Sequence, residues 1–242
     1  MPDGAGRGRE RLSGLQILAQ LRLSSSRDDI ARQLADYGAV TGYDASLRRL
    51  RQSTGDHVDL HLESHRLATV GWLRAWGCGH LRRADTGRTA AALRDWWSDW
   101  GRRLPAEHAT LSELGEPDLI EAGHAYDALR RAPAARRNLK DGEVDVAFGP
   151  SAAAKAMFAV RPQAFLPWET PIRQAFTWSE GSDAYLSLLR LSAQNLDGLA
   201  RRLAVPVSEL PAVLGRPESS PPKLIHEYLW IRITKARWAA DL

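Results

Sequence analysis

Apolar positions recur at three- and four-residue spacing along almost the whole chain, and that period predicts helices. The stretch "SSSRDDIARQLADYG" has a serine cap, Asp28 and Asp29 in its first turn, and Gly38 as its stop. In "DLHLESHRLATVGWLRAWG", Leu60, Leu67, Val70, Leu73 and Trp76 fall near one face of a helix that ends at Gly77. "DTGRTAAALRDWWSDWGRRL" carries Leu93, Trp96, Trp97 and Trp100 at the same spacing and stops before Pro105. "EPDLIEAGHAYDALRRA", "SDAYLSLLRLSAQNL" and "SPPKLIHEYLWIRITKARWAADL" complete the set, with Pro222 near a helix start, where its missing N–H does no harm. Period-two alternation is confined to the short "EVDVAF". The expected fold is therefore all-α, a helical bundle. Gly/Pro breaks fall at Gly142, at Gly149–Pro150 and in "GRPESSPP". They suggest a disordered leader over 1–14, a helical region over 15–140 and a second over 141–242, the last two able to form one composite domain.

Composition narrows the chemistry. With 242 residues, 44% hydrophobic, the chain has apolar material for a real core. No apolar run approaches the roughly 20 residues a membrane-crossing helix needs. Cys78 is the single cysteine, so an intrachain disulfide is impossible and a cysteine-rich metal site is excluded. These features fit a reducing cytoplasm. A net charge of +4 permits a phosphate-bearing partner without demanding one.

His57, His61 and His65 lie four apart and could stack on one helix, with Glu63 between them; the spacing is not that of HExxH, and the stripe reads as solvent- or partner-facing rather than as a metal site. The nine tryptophans read mainly as core, with one or two able to stack on a flat ligand. The stretch from Leu196 to Gly215 fits a helix-turn-helix loosely, weakened by Pro206 and Pro211.

The most informative stretch is "GPSAAAKAMFAVRPQAFLPWETPIR", Gly149 to Arg173. Gly149 can take a positive φ, and Pro150 suits a first helical turn. Ser151 then sits where free backbone N–H groups form a phosphate seat. A small-residue helix carries the lone Lys155, a proline-marked turn follows, and Glu169 opens the next helix, where the helix dipole favours a carboxylate. On local chemistry alone, Glu169 reads equally as a cap and Lys155 as an exposed charge.

This stretch resembles the core of the helix-hairpin-helix DNA glycosylase superfamily. Gly149 matches the second glycine of the hairpin, and "LPWETPIRQAF" matches the segment that carries the family's aspartate. The departures are Glu169 in place of that aspartate and Ala147 in place of the first glycine. Ser151 aligns with the residue that is lysine in lyase-competent members, and Lys155 lies one helical turn further on. The likeness covers about a tenth of the chain, and the all-α reading of the remainder agrees with the family fold.

The resemblance implies an enzyme that flips a modified or damaged base out of double-stranded DNA and cuts its glycosidic bond, leaving an abasic site. Glu169 would be the catalytic carboxylate and Lys155 its support or a displaced nucleophile. Gly149, Ser151 and Arg173 would contact DNA, while Trp168, Trp72 and Trp76 would line the base pocket. No cofactor or metal is implied, and the lone cysteine excludes the iron–sulfur branch. A cytoplasmic monomer without membrane contact is expected. The excised base stays open; modified phage DNA, and hence antiviral defence, is one candidate with no residue behind it. The rival readings are a non-enzymatic helix-turn-helix regulator using Leu196–Gly215 and a helical protein-interaction module.

Overall fold

The computed structural model describes residues 13–23, 25–81, 85–139, 142–176 and 179–238. The first helix, α1 (Gly14–Leu23), buries Ile17, Leu18 and Leu21, so helix begins at the end of the segment read as a leader; residues 1–12 lie outside the described residues. In α2 (Arg27–Val40) Ser26 is the cap, its hydroxyl accepting from the Asp29 N–H at 3.1 Å. The helix runs through Gly38 instead of stopping there. A Cβ at that position would lie 2.7 Å from Arg216 Nη1, so the glycine serves a close approach and not a helix end.

The next helices are α3 (Tyr43–Thr54) and α4 (Glu63–Ala75). Because α4 starts at Glu63, His57 and His61 precede it and the expected histidine stripe does not form. Local bonds favour a turn there: Asp59 Oδ1 accepts from the His61 N–H at 2.9 Å, and His65 Nδ1 accepts from the Asp59 N–H at 3.1 Å. His57 instead meets Glu107 at 2.5 Å. Leu60, Val70, Leu73 and Trp76 are buried as the period predicts, whereas Leu67 is 41% exposed. At the end of α4, Gly77 has φ +86 and the Cys78 N–H reaches back to the Leu73 carbonyl, the pattern of a glycine-terminated helix.

After α5 (Thr86–Trp100) and α6 (Glu116–Arg131) the chain makes a hairpin, β1 (Pro133–Leu139) and β2 (Gly142–Ala147). Strands are thus present where only a short alternation hinted at them. The polar "PAARRNL" hides β1 from a hydrophobic pattern. The ladder pairs Arg136 with Asp145, and Arg136 also bonds Glu143 at 2.9 Å, so cross-strand charge accompanies the backbone pairing.

The chain then enters α7 (Gly149–Val160) from β2, not from a helix. It continues through α8 (Thr170–Phe176), α9 (Ser182–Leu203), the four-residue α10 (Leu210–Val213) and α11 (Pro221–Trp238). α9 runs seven residues past Leu196 and ends at Ala204, whose φ is 54°. Where a helix-turn-helix would need a recognition helix there is only α10, with Leu210 and Pro211 buried.

α7 is the central helix. Ala152, Ala153, Ala154 and Ala156 are all buried, and their small side chains let α6 and α4 pack closely on either side. α11 packs on α1, α2, α8 and α9, so the apolar core runs without a break across the boundary near residue 140. The described residues are mostly helical, as expected of an all-α chain, with the hairpin as the exception. Among them no helix is long and apolar enough to cross a membrane.

Phe158, on α7, is fully buried against Trp72 and Trp76. Phe158→Ala is expected to lower stability in urea unfolding by about 3–5 kcal/mol. Leu67→Ala, on the exposed side of α4, should stay within about 0.5 kcal/mol of wild type.

Candidate functional site

α7 projects Lys155 toward the C-terminal end of α4, and the turn after α7 brings Glu169 back to meet it. Lys155 Nζ lies 2.6 Å from Glu169 Oε1, with the two residues 2% and 7% exposed. The same ammonium donates to the Trp76 carbonyl, freed at the end of α4. It sits 5.4 Å from the Trp76 ring centroid and 5.9 Å from that of Tyr43. The turn is held by Arg161 Nε on the Pro105 carbonyl at 2.7 Å and by Tyr185, whose hydroxyl bonds the Leu166 carbonyl at 3.2 Å. The lysine and glutamate that stand fourteen residues apart in the sequence thus form one buried ion pair.

A third group faces them. His226, on α11, is fully buried, and its Nε2 stands 3.9 Å from Glu169 Oε2. That is ionic reach but too long for a direct hydrogen bond, and neither ring nitrogen has a hydrogen-bond partner. The imidazole is wedged between Tyr37, edge-on at 6.0 Å, and Trp76, also at 6.0 Å. Burial alone would raise the Glu169 carboxyl; His226 and Lys155 outweigh it and hold the group at about 2. Lys155, in contact at 2.6 Å, is the firm partner of the two. The charge of Glu169 reaches its neighbours: burial, with Glu169 and then Cys78 adding, pushes Tyr43 up to about 12. Burial also pushes the Cys78 thiol up to about 11, against the pull of Lys155 and with a further push from Glu169.

The pair is buried but shallow. Gly77 is exposed, and a Cβ there would lie 3.9 Å from Lys155 Nζ and 3.5 Å from the Tyr43 hydroxyl. Thr170, next to Glu169, is also exposed. The Gly77–Gly79 segment is tied to the start of α7, because His80 Nε2 bonds the Phe148 carbonyl at 2.8 Å. Gly149 has φ +71 and open space where a Cβ would stand, so the first turn of α7 can be approached closely by another molecule.

The remaining expected residues divide. Ser151 Oγ accepts from Arg173 Nη1 at 2.9 Å, and the same nitrogen donates to the Trp168 carbonyl at 2.9 Å. Arg173 Nη2 adds Thr170 Oγ1 at 2.8 Å and Glu180 at 3.5 Å. Arg173 is thereby turned inward as a clamp between the starts of α7 and α8. Trp72 and Trp76 pack at a tilt, with ring centroids 4.6 Å apart, and Trp76 lies beside Lys155. Trp168 lies in a different aromatic cluster, with Tyr126 and Tyr185. All three indoles are buried.

A second ionic cluster, invisible to the sequence reading, adjoins the first through α11. Arg216 grips Glu227 with Nε and Nη2, both at 3.0 Å, and touches Asp44 at 2.5 Å. Lys223 bonds Glu227 and also Asp44, the latter at 2.7 Å. The cluster floors a cleft of about 270 Å³ rimmed by Arg48, Arg51 and Glu218. Only the i, i+4 spacing of Lys223 and Glu227 could have signalled it; Asp44 and Arg216 come from distant segments. Among the described residues, no three His, Cys, Asp or Glu side chains stand together as a metal site would need.

No protein-family model matches the chain, and comparison with curated proteins and with solved structures finds no significant match.

The ion pair makes two stability predictions. The folded Glu169 value of about 2 lies below the 4.5 of an unfolded glutamate, so its contribution is complete above about pH 4.5 and lost as pH falls toward 2. Over that window urea titrations should lose about 3 kcal/mol that Glu169→Gln does not lose. At pH 7, Lys155→Met should cost about 3–5 kcal/mol by leaving the carboxylate buried and alone, and adding Glu169→Leu should recover most of that loss.

Proposed function

We propose that this protein is a DNA N-glycosylase and that Glu169 is the carboxylate facing the sugar. The observation that carries the reading is the Glu169 side chain, buried, ionised at neutral pH and oriented by Lys155 at 2.6 Å. When a glycosidic bond breaks, the electron pair leaves with the base and positive charge grows at the sugar C1′. A fixed negative charge in a water-poor site stabilises that charge far better than solvent does. Water then adds to C1′, and its proton must pass to a nearby base.

The open first turn of α7 at Gly149 supports a backbone-phosphate contact that positions the duplex without reading its sequence. Ser151 stands beside it, held by Arg173. Trp72, Trp76 and Trp168 are buried in the resting packing. Stacking on a flipped base would therefore require Tyr43 and the Gly77–Gly79 segment to move aside, as Gly77 would permit. Lys155 has a supporting role as counterion. It could attack C1′ itself only after releasing Glu169 and the Trp76 carbonyl and losing a proton.

The test is a panel of duplex oligonucleotides, each with a different modified base, including bulky ones. Alkali-labile strand cleavage of one or more is expected with wild type, and Glu169→Gln should slow it at least about 100-fold while near-ultraviolet circular dichroism stays native. No labile site in any duplex, or full activity in the variant, sinks the reading. Borohydride should trap no adduct; one that forms with wild type and is lost in Lys155→Ala would make the lysine the nucleophile.

A further inference from the structure

We propose that His226 is the proton partner of Glu169, a positioning residue that acts through the carboxylate and takes over the proton it receives. The case is geometric. Lys155 occupies Oε1 of Glu169, which leaves Oε2 as the oxygen free to work, and Oε2 is the atom that His226 faces at 3.9 Å. His226 is fully buried with both ring nitrogens unbonded, an arrangement that costs about 1–3 kcal/mol in an otherwise well-packed core. A side-chain movement of about 1 Å brings Nε2 to hydrogen-bond distance of Oε2. Tyr37 and Trp76 pack against the ring, each with its centroid 6.0 Å away.

The electrostatic surroundings allow the transfer. From α2, His226 meets the Tyr37 ring edge-on at 6.0 Å, and burial first and then Glu227, Glu169 and Asp44 keep that tyrosine's hydroxyl far above its usual range, hence neutral. Across Glu169 stands the Lys155 ammonium, with Tyr43 behind it. On α11 itself Lys223 and Glu227 flank the ring, and each is matched within the Asp44–Arg216 cluster. Among the described residues, Glu169 is therefore the carboxylate in ionic reach of the imidazole and outside that cluster.

The proton account balances. Attacking water forms its bond to C1′ and releases H⁺ to Glu169 Oε2. A carboxyl held acidic by His226 and Lys155 together keeps a proton poorly, and Nε2 of His226 accepts it, leaving carboxylate and imidazolium side by side. As a catalytic contribution this rests on the glycosylase reading above; the coupling between the two side chains does not.

The experiment is a nuclear magnetic resonance titration of ¹³C-labelled full-length protein, wild type and Glu169→Gln, following His226 Cε1 and Glu169 Cδ. A carboxylate facing the ring favours imidazolium, so Glu169→Gln should move the His226 titration to lower pH. Wild-type Glu169 Cδ should show a second inflection at the His226 midpoint. Should the glutamine variant fail to fold, that wild-type inflection decides the matter alone. An unchanged His226 midpoint, or no inflection in Glu169 Cδ, overturns the proposal whatever the activity. On any duplex that is cut, His226→Asn should move the acid limb of the pH–rate profile. If no duplex is cut yet the titrations are coupled, the dyad stands and the glycosylase reading alone falls.

Discussion

Everything near the centre of this fold depends on one contact, the bond between the Lys155 ammonium and the Glu169 carboxylate. At 2.6 Å and an effective dielectric near 20, their attraction amounts to about 6 kcal/mol. Taking each ion out of water costs several kcal/mol, so the pair comes close to breaking even and is no large source of stability. What it fixes is geometry. Lys155 belongs to α7, Glu169 to the start of α8, and the Trp76 carbonyl to the end of α4. One side chain therefore sets the spacing of three elements that have no backbone hydrogen bonds in common.

The rest of the packing can be understood as what that contact requires. α7 must be surrounded on all sides for Lys155 to be dry, and the run of alanines makes room for neighbours close enough to do it. Gly77 must turn the chain away at positive φ without placing a side chain over the ammonium. α11 must come close enough for His226 to face the carboxylate, and the ionic cluster of Asp44, Arg216, Lys223 and Glu227 anchors that helix at its first two turns. A buried ion pair and a part-buried ionic cluster thus meet along α11, and such polar interiors specify arrangement more than they add stability.

How much of this could be read from the sequence follows from the range of the forces involved. The helices α2, α4 to α9 and α11 are legible because amphipathic periodicity is local; α1, beside a Gly/Arg-rich run, and α3 are not read from the pattern. β1 was hidden because its residues are polar and its stabilisation comes from a partner strand. Lys155 and Glu169 stood out as lone charges in an apolar stretch, and the structure joins them, but their pairing depends on the turn at 161–168, held by contacts to Pro105 and Tyr185. His226 gave no signal at all. In "KLIHEYLWI" it looks like any polar position of an amphipathic helix, yet α11 is buried on nearly every side. The helix-turn-helix reading of Leu196–Gly215 failed on length, since composition marks a turn at Pro206 but cannot say that the helix beyond it lasts only four residues.

The chemistry of the pair also constrains any catalytic account. A carboxylate held at about 2 is a weak base, so any proton it takes from water it holds only in passing. The same strong anionic character suits it to stabilise a cation at full charge throughout the reaction. Lys155 works against that by shielding one oxygen and leaves the other as the working face. The geometry therefore separates two tasks that a single carboxylate often performs together. On the glycosylase reading, charge stabilisation would fall to Glu169, and proton storage would need a second basic group within reach of Oε2. Among the described residues His226 is the side chain that stands there. Were Lys155 drawn away by substrate, the carboxylate would become more basic and the division would relax. On the glycosylase reading, the lysine would thus govern which of the two roles Glu169 plays.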